Sequence, residues 1–361
     1  MSDPVRAGRR QSILRNLDAH RTDALLVTAL PNIRYLSGFT GSNGVLLLTE
    51  RQPVLFTDPR YEIQAAAECD CPVRIAGKGV AEEAARAATR RRVRRLGYER
   101  NRISLAAFET LRAKLGSGTE LVPFDGLVET ARMVKSAAEI AHIRASVKVN
   151  SQAYERTLRM IKPGRTTELD IAAELDYRMR RLGASGPAFD TIVAVAERSA
   201  LPHAQPSTRV FATNILLLID MGAFVDGYAS DMTRVVALGK APRSARRVYS
   251  AVLEAQLAAI DAIRPGVTAG QVDRAARRVL AAHGLAKAFV HSTGHGLGLE
   301  IHEPPRLGHG DGTVLAEGMA VTIEPGAYLD GQFGVRIEDT VVVTADGCDV
   351  LTPTPKELLE I

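Results

Sequence analysis

The sequence predicts an α+β chain of two domains: an α/β domain over residues 1–130, and a second domain over 131–361 made of two similar halves. Three observations carry this. Apolar runs of strand length alternate with helical patterns up to about residue 130. Ser136, with Glu139 three residues on, forms a capping box that opens a long helix just past Met133. The phrase Ile161-Lys162-Pro163-Gly164-Arg165-Thr166 then returns as Ile263-Arg264-Pro265-Gly266-Val267-Thr268. At 361 residues the chain is too long for one core and comfortable for two.

In the first domain Ala24–Thr28, Gly44–Thr49 and Pro53–Thr57 read as buried strands. Arg10–Ala19 and Tyr61–Cys69 read as helices, followed by an Ala-rich and then Arg-rich helix. Asn32 to Gly44 packs three glycines and reads as a loop. It lacks the spacing of a dinucleotide fingerprint and precedes no helix, which excludes phosphate cradling. In the second domain Pro163-Gly164 closes the long helix. Each copy of the echoed phrase leads into a further helix, at Leu169–Ala173 and Val272–Ala276. The copies stand about a hundred residues apart, too far for a solenoid period.

Composition narrows the function classes. Hydrophobic residues at 46% and charged residues at 24% are ordinary for a soluble globular chain. No apolar run reaches the roughly 18 to 20 residues of a membrane helix, and residues 1–10 lead into no signal-peptide core. Three cysteines, Cys69, Cys71 and Cys348, make no disulfide framework and suit a reducing cytoplasm. Part of the net charge of +5 comes from Arg90, Arg91, Arg92, Arg94 and Arg95. With Glu82 and Glu83 before it, that run follows the helix dipole and reads as a solvated helix end, not a nucleic-acid surface.

The residues with chemical potential lie after position 200. Asp226-Gly227 is a hairpin turn signal between β-rich runs. A two-residue loop there sets Val225 opposite Tyr228 and Asp220 opposite Thr233, with Asp231 diagonal to Asp220 on one face. A second hairpin, turning at Asp330–Gln332, sets Glu324 opposite Glu338, although Pro325-Gly326 interrupts the register. His295 lies between the two hairpins. Like charges gathered in a low-dielectric site must protonate, separate or find cations. Asp220, Asp231, His295, Glu324 and Glu338 therefore read either as a dinuclear metal set or as exposed strand residues, and spacing alone does not choose.

Asp220-Met221-Gly222, Gly227 to Arg234, Gly294 to Glu303, Glu324-Pro325-Gly326 and Gly334 to Asp339 resemble the motifs of the prolidase and aminopeptidase P branch of the pita-bread metallopeptidases. Asn32–Gly44 and Phe56 to Tyr61 resemble that branch's amino-terminal domain, so the likeness covers nearly the whole chain. It implies a creatinase/prolidase-type α/β domain followed by a pseudo-twofold pita-bread catalytic domain, which accounts for the echo. It also implies a homodimer.

The resemblance assigns Asp220, Asp231, His295, Glu324 and Glu338 as ligands of two divalent ions, manganese first and cobalt, zinc or iron as alternatives. Asp231 and Glu338 match the bridging positions. His203 matches a histidine that lines the substrate site, and His302 one that contacts the substrate carbonyl. Arg306 matches a position that meets the carboxylate of a dipeptide in some prolidases; a rim salt bridge is an equal alternative. His291, just before the ligand loop, reads first as a packing residue and otherwise as a group that orients His295, while Tyr328 and Arg336, beside ligands, read as supports for the site. Ala204 departs from the glycine of many relatives; its methyl group either narrows the substrate pocket or needs slightly different backbone angles.

The implied activity is release of the N-terminal residue from Xaa-Pro peptides by attack of a metal-bridging hydroxide, with Glu324 as proton acceptor. The same fold also serves methionine aminopeptidases, which usually lack the first domain. Metal-free creatinase-like enzymes and inactive peptide-binding relatives have lost ligands that this chain keeps.

Overall fold

Asp3, accepting the backbone N–H groups of Val5 and Arg6, starts α1 (Pro4–Ala19) at the head of this computed structural model, which describes residues 3–361. The chain divides between Arg132 and Met133 into two units. In the first, β1 (Ala24–Val27), α2 (Leu30–Ser37), β2 (Gly44–Thr49), β3 (Val54–Thr57), α3 (Glu62–Glu68), β4 (Val73–Ile75), α4 (Val80–Arg90), β5 (Arg95–Glu99), α5 (Leu105–Lys114), β6 (Glu120–Phe124) and α6 (Leu127–Arg132) follow in turn. The strands form one six-stranded mixed sheet in the order β4-β3-β2-β1-β5-β6.

Two local readings need correction. The glycine-containing segment is half helix: α2 covers Asn32 to Ser37, with Pro31 in its first turn and Gly38 as its left-handed C-cap at φ 87°. A Cβ on Gly38 would stand 2.8 Å from the Glu68 carbonyl oxygen, so backbone closeness adds to the demand for glycine. Asn32, fully buried, bonds Glu99 Oε1 at 2.6 Å and Glu129 Oε1 at 2.8 Å through Nδ2. The arginine run is not helical throughout. α4 ends at Arg90, Arg92 turns at φ 56°, and Arg95 already belongs to β5. Val93 and Leu96, buried in the core, draw the chain into the sheet.

In the second unit the capping box of Ser136 and Glu139 opens α7 (Ala137–Leu158), which ends before Pro163-Gly164 is reached. Its first half continues with α8 (Glu168–Arg181), β7 (Gly186–Pro187), β8 (Ile192–Val195), β9 (Ile215–Met221), β10 (Ala223–Val225), β11 (Tyr228–Ala229) and β12 (Met232–Leu238). The second half holds α9 (Arg243–Asp261), α10 (Ala269–Ala282), β13 (Gly294–Gly296), β14 (Glu303–Leu307), β15 (Ala320–Ile323), β16 (Gly326–Leu329), β17 (Phe333–Arg336), β18 (Asp339–Val343) and β19 (Cys348–Val350). β20 (Leu359–Glu360) returns to pair with β12.

The echoed phrases occupy equivalent places. Thr167 and Thr268 cap α8 and α10 in reciprocal boxes with Asp170 and Gln271. Each threonine also makes a lone bridge, to Val210 and Val314 respectively.

Burial on both faces explains why β9 and β12 are almost wholly apolar. Leu216, Leu218, Val235 and Ala237 enter a core shared with α9 and α10. Leu217, Ile219, Val236 and Leu238 enter another beneath α7 and α8. Asp220 and Asp231 fall on the alternation of Leu218 and Val235, so both carboxylates continue the first of these faces.

Candidate metal centre

Turn chemistry positions the first two carboxylates. Asp226 and Gly227 have φ of 49° and 72°, the pair of positive values that a two-residue hairpin turn needs. Val225 accordingly pairs with Tyr228, and Asp220 with Thr233. The second hairpin holds one register across its interruption: Ile323 pairs with Asp339, and Gly326 with Arg336. Glu324 and Glu338 lie between those pairs, where Pro325 removes a ladder donor. His295 sits on β13 opposite Arg306 of β14.

These elements bring Asp220, Asp231, His295, Glu324 and Glu338 to one cavity of about 770 Å³. Ligand atoms of Asp231, His295 and Glu338 lie within 4.8 Å of one another. His295 Nε2 is 3.5 Å from Asp231 Oδ2 and 3.4 Å from Glu324 Oε1. His295 Nδ1 is 3.0 Å from the Gly296 carbonyl oxygen. That acceptor assigns the proton to Nδ1 and leaves the Nε2 lone pair facing the carboxylates.

Electrostatics in this cavity favour neutralisation. Burial pushes Asp231 well above the usual carboxylate range, with the Asp220 and Glu324 charges adding to it. Burial does the same to Glu338, reinforced by Asp231, Glu324 and Asp220. Asp220 is also raised by burial, against the opposing charge of Arg336. Asp220 Oδ1 and Asp231 Oδ1 are buried without a hydrogen-bond partner among the described residues. Unpartnered carboxylate oxygens are costly in a protein interior. Four carboxylates and one imidazole, with two such oxygens unserved, fit divalent cations.

A hydrogen-bonded lattice braces the acids. Arg336 donates from Nη2 to Asp220 Oδ2 at 2.5 Å and from Nε to Thr233 Oγ1 at 3.0 Å. Thr233 in turn donates a hydrogen bond from its hydroxyl to Glu338 Oε2 at 2.7 Å. Arg336 Nη1 donates to the Tyr328 hydroxyl oxygen at 2.6 Å. Sequence patterning placed Tyr328 and Arg336 beside the ligands; it gave Thr233 no task beyond facing Asp220.

His203, His302 and Arg306 line the same cavity. The His302 ring stands edge-on to His295, centroids 4.4 Å apart. Burial, with His295 next in effect, lowers the His302 pKa and favours its neutral form. Arg306 has no ion pair or side-chain hydrogen bond among the described residues, so the rim salt bridge is absent.

Two readings left open by the sequence are decided by the geometry. His291 does not reach His295; its Nε2 accepts from the Tyr328 hydroxyl at 2.8 Å, while Nδ1–H donates to Ser292 O. Ala204 does not narrow the cavity: its methyl group packs in the hydrophobic core, 4% exposed, on a backbone without positive φ.

Comparison with known proteins matches residues 141–345 to metallopeptidase family M24 and residues 9–134 to the creatinase/prolidase N-terminal domain. The chain belongs to metallopeptidase family M24. An Xaa-Pro dipeptidase of Pyrococcus horikoshii is 36% identical over 97% of this chain and 98% of its own. The structure of an Xaa-Pro dipeptidase from Bacillus anthracis superposes with a TM-score of 0.95 at 36% identity, covering 99% of this chain and 100% of that one. An X-Pro aminopeptidase from Thermotoga maritima superposes with a TM-score of 0.90 at the same 36% identity, over 98% of this chain and 100% of that one. These likenesses place the chain in the prolidase branch of the M24 family, with its α+β pita-bread fold. It is a metallo-exopeptidase, a hydrolase that works with divalent metal. Among the described residues no helix is long and apolar enough to cross a membrane.

Proposed function

We propose that this M24 enzyme hydrolyses Xaa-Pro peptides, dipeptides in preference to longer ones, at a dinuclear metal centre held by Asp220, Asp231, His295, Glu324 and Glu338. The observation that carries the reading is the convergence of four carboxylates and one imidazole in a cavity where two buried carboxylate oxygens lack partners. Two divalent cations bound there would supply Lewis acidity and ease the ionisation of a water at neutral pH. We place the ligands and the substrate groups in residues 131–361. A cytoplasmic homodimer is part of the proposal, supported by the resemblance and by three free cysteines that suit a reducing compartment.

The protein's own groups divide the work. Glu324 accepts the proton of the attacking water and delivers it to the proline nitrogen as the C–N bond breaks. The neutral His302 donates from its ring N–H to the carbonyl oxygen, which gains charge as the water oxygen adds to its carbon. His203, which lines the same cavity, orients the substrate. Proline lacks an N–H and fixes φ, so the leaving residue is recognised by shape. Arg306, with no carboxylate of its own to pair with, is available to the free carboxylate of a dipeptide. This supports dipeptidase action over removal of one residue from a long chain.

The test compares Xaa-Pro dipeptides with Xaa-Pro-Yaa tripeptides, with manganese or cobalt added and with chelator. The reading expects chelator-sensitive cleavage and a higher kcat/KM for dipeptides. Arg306→Ala should reduce that preference about tenfold or more, the worth of a hydrogen-bonded charge pair. Equal use of both substrates by the native enzyme contradicts the dipeptide preference. Metal-loaded enzyme that leaves both intact contradicts the whole reading.

A further inference from the structure

Beside the loop that carries His302 lies a buried ion pair that the chemistry above does not use. Lys135 Nζ stands 3.3 Å from Glu303 Oε2, and each side chain is 2% exposed. Two charges are costly to bury, and apolar side chains of similar volume often stabilise a fold as well or better. Stability alone is therefore a weak account of this pair.

Its surroundings supply a better one. Glu303 directly follows His302 and opens β14, where burial alternates: Glu303 is enclosed while His302 stays exposed to the cavity. The second oxygen of Glu303 accepts the backbone N–H of Glu300 at 3.0 Å, so the carboxylate clamps the loop that it closes. A Cβ at Gly298 would come within 2.9 Å of Glu303 Oε1 and 3.1 Å of Lys135 Cε. The pair fills the space that a side chain on the loop would need. Lys135 is itself anchored: its N–H donates to Gly318 O at 2.9 Å, Val134 bridges Met319, and Ser136 caps α7. The lysine thus ties the loop to the entrances of α7 and β15.

We propose that the Lys135–Glu303 ion pair is a positioning device that holds the His302 loop against the cavity. This rests on the reading of His302 as the group that meets the scissile carbonyl. Glu303 borders the cavity, but its carboxylate is turned to Lys135 and to the Glu300 N–H. Both act through the histidine beside them.

The experiment measures Xaa-Pro dipeptide kinetics and metal content for Lys135→Met, alone and in a His302→Ala background. Alone, kcat should fall about ten- to a hundred-fold, as a misplaced catalytic group costs, with metal content unchanged. In the His302→Ala background the same substitution should change kcat less than about twofold, because its target is gone. Glu303→Gln keeps the side chain's shape and one acceptor oxygen. It should show a smaller loss with the same dependence on His302, and decides the matter where Lys135→Met does not fold. Wild-type kcat in folded variants, loss of metal, or an equal loss in both backgrounds overturns the proposal. A His302→Ala enzyme with wild-type kcat sinks the reading of His302, and the positioning proposal with it. A large loss there without one in the ion-pair variants sinks the proposal alone.

Discussion

Thr233 shows how one small side chain can join two parts of a site. It accepts a hydrogen bond from Arg336 Nε and donates one to Glu338, so the guanidinium that braces Asp220 also fixes a carboxylate from the other hairpin. Thr233→Val keeps the volume and removes both bonds. Partners that orient ligands are typically worth ten- to a hundred-fold in metal affinity. The expectation is that apparent metal affinity, followed by titrating activity back into chelator-stripped enzyme, weakens about tenfold while the fold persists. Unchanged affinity would mean that Arg336 and Glu338 need no bridge.

Residue identity made the four acids and the imidazole legible in the sequence, because their types and order carry the chemistry. It could not reveal that His291 answers to Tyr328, or that Ala204 points into the core. Adjacency in the chain says little about which wall a side chain meets.

At the level of elements, the most legible features were those governed by a local rule. A two-residue Asp226-Gly227 turn sets the pairing of every residue between Asp220 and Thr233. A capping box announces α7. The helix α2 was hidden although its own signals, Pro31 near the start and Gly38 after the end, stand in the sequence. Three glycines nearby suggested a loop, and buried contacts of Asn32, Ile33 and Leu36 decide otherwise.

In the same unit Arg10 joins α1 to the end of α2 through Leu36 O at 2.8 Å, and to Asp70 through Nη1 at 2.7 Å and Nη2 at 2.9 Å. Burial would raise the Asp70 carboxyl, but hydrogen bonds and charge from Arg10 outweigh it and hold the group below its ordinary value. A carboxyl lowered on folding stabilises the protein only while ionised. The contribution is whole above about pH 4, the unfolded value, and drains away as pH falls through the lowered folded one. Urea unfolding of Asp70→Ala should therefore show a loss of about 3 kcal/mol at pH 7 that shrinks below pH ~4. A deficit that stays constant down to pH ~2 would contradict this pairing.

For the molecule as a whole, the second unit builds its cavity from both of its halves. Asp220 and Asp231 come from the first, His295, Glu324 and Glu338 from the second, and each half repeats a capped helix after the same phrase. Convergence of like charges is unfavourable in a folded interior unless cations answer it. That is the central proposal: two divalent ions answer the charge gathered in this cavity. Its most direct test is elemental analysis of purified wild-type protein beside Asp231→Ala, both prepared in manganese, with turnover measured on the same samples. The account expects about two ions per wild-type chain. In the variant it expects a clear loss of metal and no measurable turnover. An Asp231→Ala protein as fully loaded and as active as wild type, or an active wild type free of metal, would contradict it.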